Sequence, residues 1–465
     1  MLPGIVRSIK EHEVAAGFAL SFGRETAPRD VIEAPPGLYH ITTGHTGTSI
    51  TEYIEKASSI IVEENIVAEI EADHLIVGAT TAEAVARLMG RKEAAAGSKE
   101  VVEASLSYNF KEIDEAVATS KINSFTVDTC SLINFEANSL PESELDYMFE
   151  EVVPERNERL KILDRYAERT LIFPWIDGST CKLRFSDSEV KRLTVKYNDS
   201  LKASWRVYSY IKNKMNDQPF GFEIAFDETP SITNAGDLYF YLSEWKWMGG
   251  HAEFVAPNIG FEKRIDYEGD LDALRKRVSN LAAVAYSLGS TLSIHSTSGS
   301  TPSSLKGFGV YDTIRVATGG RVKTKISGIY YELLLEILFR SPNDSKRRRL
   351  YDEIFDSVME YLDKEVKFKG PLYSDELISK IEDYKRGVSQ GKIRVKDPLS
   401  ALAKSCLFLA LNIRDALGRR YIRDAIIKLY YEDNEFRKTY DLGVKIITDN
   451  IIEKFGFQGN LKLLA

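Results

Sequence analysis

Between Pro219 and Ser296 the chain alternates strand, helix, strand, helix, strand, and few folds accommodate that rhythm. PFGFEIAFDE reads as a strand, AGDLYFYLSEWKWMG as a helix and HAEFVAP as a strand. A second amphipathic helix covers roughly Asp270 to Leu288, and STLSIHS is a third strand ending on His295. Parallel strands need long, usually helical crossovers, so the alternation predicts a parallel sheet. Upstream, NIVAEIEADH and INSFTVDT read as further strands. TLIFPW is another, and its proline makes it a poor central strand.

Residue parity divides each strand into two faces. Phe222, Ile224 and Phe226 oppose Glu223, Ala225 and Asp227; Leu292 and Ile294 oppose Ser293 and His295; Phe125 and Val127 oppose Thr126 and Asp128. One apolar face and one small, polar or ionisable face is what a barrel with outer helices requires. An antiparallel sheet with one wet face gives the same alternation, and the intervening helices favour the barrel. The expected fold is α/β: a (β/α)8 TIM-like barrel over 61–340, a small β-rich unit over 1–60 and a helical unit over 341–465. In the first unit AAGFALSFG and GLYHITTG read as strands, and GHTGTS as a plain turn without the lysine or the following helix of a phosphate loop. The last unit rests on four charged amphipathic segments beginning at about Ser341. The long segment from Ser186 to Lys214 reads as helical, in one piece or two.

A formal charge of −8 with no long basic run argues against nucleic acid or an anionic membrane as main partner. Three scattered cysteines, Cys130, Cys181 and Cys406, fit a reducing compartment without a disulfide framework. MLPGIVRSIKEHEVAAG is too charged for a signal sequence and no apolar run approaches a membrane span, so the cytoplasm is the expected location.

Glu223 and His295, at the ends of separate strands, form the leading metal-ligand pair; a lone strand histidine is also commonly a hydrogen-bonded core residue. Asp73, His74 and Asp128 end strands too, and an aspartate there can instead cap the next helix. Carboxylates converging on one mouth repel unless a cation or proton is shared, which a divalent metal would satisfy. Lys325 points inward by parity, placed to hold a substrate oxygen or stabilise an enolate, unless it is a surface lysine. The Ser/Gly-rich stretch after His295, STSGSTPSSLKGFG, reads as a loop over the site or a linker.

Seven segments, in this order, resemble the tagaturonate epimerase family: EADH at 71–74, TVDT at 126–129, FEIAFDET at 222–229, FVAPNIGFEKRIDYEGDL at 254–271, SIHS at 293–296, TGGRVKTKISG at 318–328 and EFRKTYDLGVKI at 435–446. The resemblance implies a metal-dependent barrel enzyme that interconverts the keto-uronates tagaturonate and fructuronate. Glu223, His295, Asp73, His74, Asp128 and Lys325 fall on matching motif positions. The implied ligands are Glu223, His295 and His74, holding zinc, manganese or nickel, with Asp441 competing with His74 for its place. His74 points outward by parity, so its strand must bend. Asp128, Asp73 and Lys325 are the catalytic candidates. The inverted carbon is β to the ketone, which α-proton abstraction cannot invert and a retro-aldol route can.

The chain also departs from the family pattern. The loop after His295 lacks an Asp-Lys pair, Lys323 and Asp441 stand where histidines are typical, and Asn258 stands where a basic residue is common. A neutral ketose therefore stays open as substrate beside a sugar acid. So do a metal-dependent aldolase or ketose isomerase on the same barrel, and a non-catalytic sugar-binding protein. A small sugar or sugar acid is the expected partner, with homo-oligomerisation undecided.

Overall fold

The computed structural model describes residues 2–88, 98–216, 218–326 and 328–463. Seven strands build one sheet: Ala16–Ser21, Ala68–Ile76, Ser124–Asp128, Gly221–Ala225, Phe254–Ala256, Thr291–Ile294 and Val322–Thr324. They lie side by side in chain order, and every adjacent pair is parallel. The parallel pairing rules out the antiparallel alternative for the strands that carry Glu223 and His295.

The faces follow the parity. Phe125, Val127, Phe222, Ile224, Leu292 and Ile294 are buried on the outer face, in one apolar cluster with the surrounding helices. Phe222 stacks on Trp245 of helix Ala235–Trp247, with ring centroids 5.6 Å apart. Full burial of each such side chain contributes about 1.5–3 kcal/mol, so this face anchors the strands.

The sheet curls into a half-barrel; the complete eight-stranded barrel is not formed. Among the described residues the last strand does not hydrogen-bond to the first. Gly17 and Ala19, on the inner side of the first strand, are exposed instead of covered. TLIFPW does not join the sheet: Thr170–Pro174 pairs with Thr180–Arg184 in an antiparallel hairpin of its own. Curling is still deep, because lysines of the seventh strand reach carboxylates of the second.

Residues 16–21 form the sheet's first strand, so the N-terminal stretch is joined to the main sheet. Helices Leu2–His12 and Ile50–Glu64 make it more helical than extended, and GLYHITTG is a run of turns. A helix does follow GHTGTS. Ser49 accepts from the Glu52 amide and Glu52 reaches back to the Ser49 amide, a capping box that satisfies two first-turn donors. Asp187–Met215 is one continuous helix of 29 residues. Past Ile329, helices Ile329–Arg340, Lys346–Phe368, Asp375–Ser389, Tyr421–Glu432 and Asn434–Phe455 share a second apolar cluster. No helix among the described residues is long and apolar enough to cross a membrane.

Candidate active site

The inner face of the second strand carries Glu69, Glu71 and Asp73. After Ala72 its register against the third strand shifts, and His74 adopts φ of 49°. Left-handed backbone is uncommon outside glycine. This bend, which parity required, lets Asp73 and His74 face the same mouth. His74 Nδ1 lies 3.2 Å from Asp128 Oδ2, and Nε2 lies 3.9 Å from Asp73 Oδ1. Asp128 is wholly buried, and its other oxygen accepts from the Cys130 amide at 2.9 Å.

His295 faces His74 across the mouth, with ring centroids 5.1 Å apart. Its Nε2 is 2.7 Å from Glu223 Oε1, and its Nδ1 is 3.1 Å from Asp227 Oδ1. Below them lie the two lysines of the last strand. Lys325 Nζ donates to Asp73 Oδ1 at 2.7 Å, to Thr126 Oγ1 at 2.8 Å and to Glu71, and lies 3.1 Å from Glu223 Oε1. Lys323 Nζ lies 2.5 Å from Glu69, 2.8 Å from Glu71 and 3.3 Å from Glu223. Lys325 is therefore an interior cation, not a surface one.

Charge balance sets the ionisation. Burial disfavours the charged form of His295, but Asp227 and hydrogen bonds to both carboxylates outweigh it and raise its pKa to about 9. Burial likewise opposes the His74 cation, while Asp73 and Asp128 hold its pKa above the ordinary range. Burial works against the Glu223 and Asp73 carboxylates. For Glu223 the ammonium of Lys325 leads the opposing interactions; for Asp73, His74 and Lys325 do, and both groups stay below the usual range.

Among the described residues two groups are tight enough to hold one ion: His74, Asp227 and His295, and His74, Asp128 and Glu228, each with ligand atoms within 4.8 Å. The second is already neutralised, since Arg24 at 3.0 Å and Lys263 at 2.7 Å both pair with Glu228. In the first, Asp227 Oδ1 meets His295 Nδ1 at 3.1 Å, while its buried Oδ2 has no hydrogen bond among the described residues. Two imidazoles and a carboxylate suit zinc, manganese or nickel, so the residues fit a divalent metal. The structure brings the expected ligands His74 and His295 together. Glu223 sits beside them but is engaged by two ammonium groups, and Asp227 is the third member of the tight group. Asp441 is in neither group; on helix Asn434–Phe455 it accepts from Tyr430 Oη at 2.7 and 2.9 Å. Asp227 continues the inward parity of FEIAFDE, which was a usable signal. Arg24 had none, because it enters from a loop 204 residues away from Glu228 in sequence.

The UxaE tagaturonate epimerase family profile matches residues 107–387. Crystal structures of the fructuronate-tagaturonate epimerase UxaE from Cohnella laeviribosi share the fold. The two-glycerol complex superposes with a TM-score of 0.65 at 18% identity, over 98% of this chain and 78% of that one. The native form gives 0.63 at 19% identity, with the same coverage. No curated protein matches the chain in sequence. The family match spans more than half of the sequence and includes the strands that carry Asp128, Glu223, Asp227, His295 and Lys325. The chain belongs to the tagaturonate epimerase family and is an isomerase acting on carbohydrates.

Proposed function

We propose that the protein is a metal-dependent epimerase of keto-uronates of the tagaturonate and fructuronate type, or of related ketoses, working by retro-aldol cleavage and aldol re-formation. The family relationship supports the reaction class. The observation that carries the metal is Asp227, a buried carboxylate within ligand reach of His74 and His295, whose Oδ1 lies 3.1 Å from His295 Nδ1 and whose buried Oδ2 has no hydrogen bond among the described residues. His74, Asp227 and His295 would hold the ion. When bound, it supplies Lewis-acid polarisation of the substrate oxygens.

The chain's own groups divide the remaining work. Asp128 fixes the His74 ring through Nδ1. Asp73 keeps an exposed edge that Asp128 lacks, and it takes the proton of the hydroxyl on the inverted carbon. As that oxygen becomes a carbonyl, the bond between this carbon and its ketone-side neighbour breaks. Its electron pair moves onto the ketone oxygen, to which Lys325 Nζ donates. Rotation of the aldehyde presents its other face, the bond re-forms, and Asp73 returns the proton. Buried walls keep water from the enediolate in between.

The test is turnover of tagaturonate, fructuronate, tagatose and fructose by metal-stripped protein and by protein restored with zinc, manganese or nickel. Epimerised product only with metal, together with loss of metal binding in Asp227→Asn, is the expected result. Release of free aldehyde would assign an aldolase instead. No turnover of any sugar with metal present would leave a binding protein.

A further inference from the structure

The charge at the mouth is interleaved: Lys323 and Lys325 sit among the carboxylates of the floor, and two more cations lie on one wall. The floor presents Glu69, Glu71, Asp73, Glu223 and Asp227, while one wall presents Arg24 and Lys263. Both cations converge on a single carboxylate, Glu228, at 3.0 and 2.7 Å. Glu228 is not the sole counter-charge: Asp73 and Asp128 also act on Arg24, and Asp227 feels Lys263. The two cations are not equivalent. The Arg24 side chain is 5% exposed and also donates to Ser21 Oγ at 3.2 Å, so it is fixed on both sides. The Lys263 side chain is 34% exposed and lies on the loop between Ala256 and the helix that starts at Leu271. A flexible ammonium at a water-facing edge can change partners at low cost. Its position is also informative: Glu228 lies within 4.8 Å of a His74 nitrogen, so Lys263 stands within reach of a six-carbon chain held at the histidines.

We propose that Lys263 selects acidic over neutral substrates, with Glu228 as its resting counter-ion. Without ligand, Glu228 neutralises Lys263. With a sugar acid bound, the substrate carboxylate takes the Lys263 ammonium and Arg24 keeps Glu228 paired. This rests on the epimerase reading of the same mouth.

The experiment uses metal-loaded protein and the variants Lys263→Met, Lys263→Arg and Glu228→Gln. Lys263→Met should lower kcat/KM for tagaturonate by about 10- to 100-fold, the loss of one charge-assisted contact, and change that for tagatose by less than about 3-fold. Lys263→Arg should recover most of the loss. Calorimetry with gluconate, an inert sugar acid, should show weaker binding in Lys263→Met and tighter binding in Glu228→Gln. A merely structural pair would not move binding in opposite directions. Equal effects on the acid and the neutral sugar, or none on either, would overturn the assignment. If the wild type turns over neither sugar, the epimerase reading fails while gluconate still decides: weaker binding in Lys263→Met upholds the role of Lys263, and unchanged or absent binding overturns it.

Discussion

Replacing Lys325 with methionine removes the ammonium around which the carboxylates of the half-barrel floor gather. Lys325 Nζ lies 2.7 Å from Asp73 and 3.1 Å from Glu223, and it also meets Glu71. At an effective dielectric of 20, each such contact is worth about 5–6 kcal/mol before desolvation is subtracted. Breaking a buried pair costs a net 3–5 kcal/mol or so, because the partner charge is left uncompensated. Here Glu71 and Glu223 would keep Lys323, Glu223 also His295, and Asp73 only His74 and the Ser21 hydroxyl. The sign of the pH dependence follows. In the wild type, Asp73 and Glu223 are held below the ordinary carboxylate range, so their contribution is complete above that range and is lost as pH falls through their folded values. In Lys325→Met the crowded carboxylates move up instead and take up protons near neutrality. The deficit relative to wild type should be about 3–5 kcal/mol at pH 7 and should shrink as pH falls towards roughly 4, where unfolded carboxylates protonate. Urea unfolding of metal-free protein across this range measures it. A deficit that does not change with pH, or no deficit, would refute the charge-balance argument.

Two further outcomes follow from other buried groups. Lys306 is fully buried, with Nζ donating to the carbonyls of Glu262 and Ser298, and burial pushes its pKa down to about 8. The unfolded chain binds the extra proton between about 8 and the ordinary lysine range, so stability should rise with pH there by about 3 kcal/mol; urea melts of Lys306→Met should lack that slope. Asp128→Asn should lower metal affinity or turnover by about 10- to 100-fold, because it removes the group that orients His74; chelator competition and rate measurements check it.

Much of the sheet was legible because the strand period of two fixes which residues share a face. Glu223, His295 and Lys325 were placed on the inner face by counting alone. His74 was legible as a conflict: its motif position demanded an inward group that parity denied, and the bend at φ 49° resolves it. Strand number was not legible. TLIFPW has the composition of a strand, yet its partner is the adjacent Thr180–Arg184, and only tertiary pairing decides between a hairpin and a barrel. Asp227 does not stand out from Glu223 as a candidate ligand in the sequence, for a local reason. Glu223 and Asp227 share parity, and nothing in the spacing shows that Lys323 and Lys325 engage the first and leave Oδ2 of the second without a hydrogen bond. Ser49 to Glu52 carries a readable capping box, a signal for the helix from Ile50 that the plain-turn reading of GHTGTS leaves out.

Nuclear magnetic resonance of tagaturonate incubated in deuterated water with the metal-loaded protein tests the central claim most directly. Retro-aldol epimerisation leaves the hydrogen of the inverted carbon on the transient aldehyde, out of reach of any base, while Asp73 handles only the hydroxyl proton. The account predicts that fructuronate accumulates with protium retained at that carbon, and that no fructuronate forms once the metal is removed. Deuterium at the inverted carbon, or epimerisation that proceeds equally without metal, would contradict it.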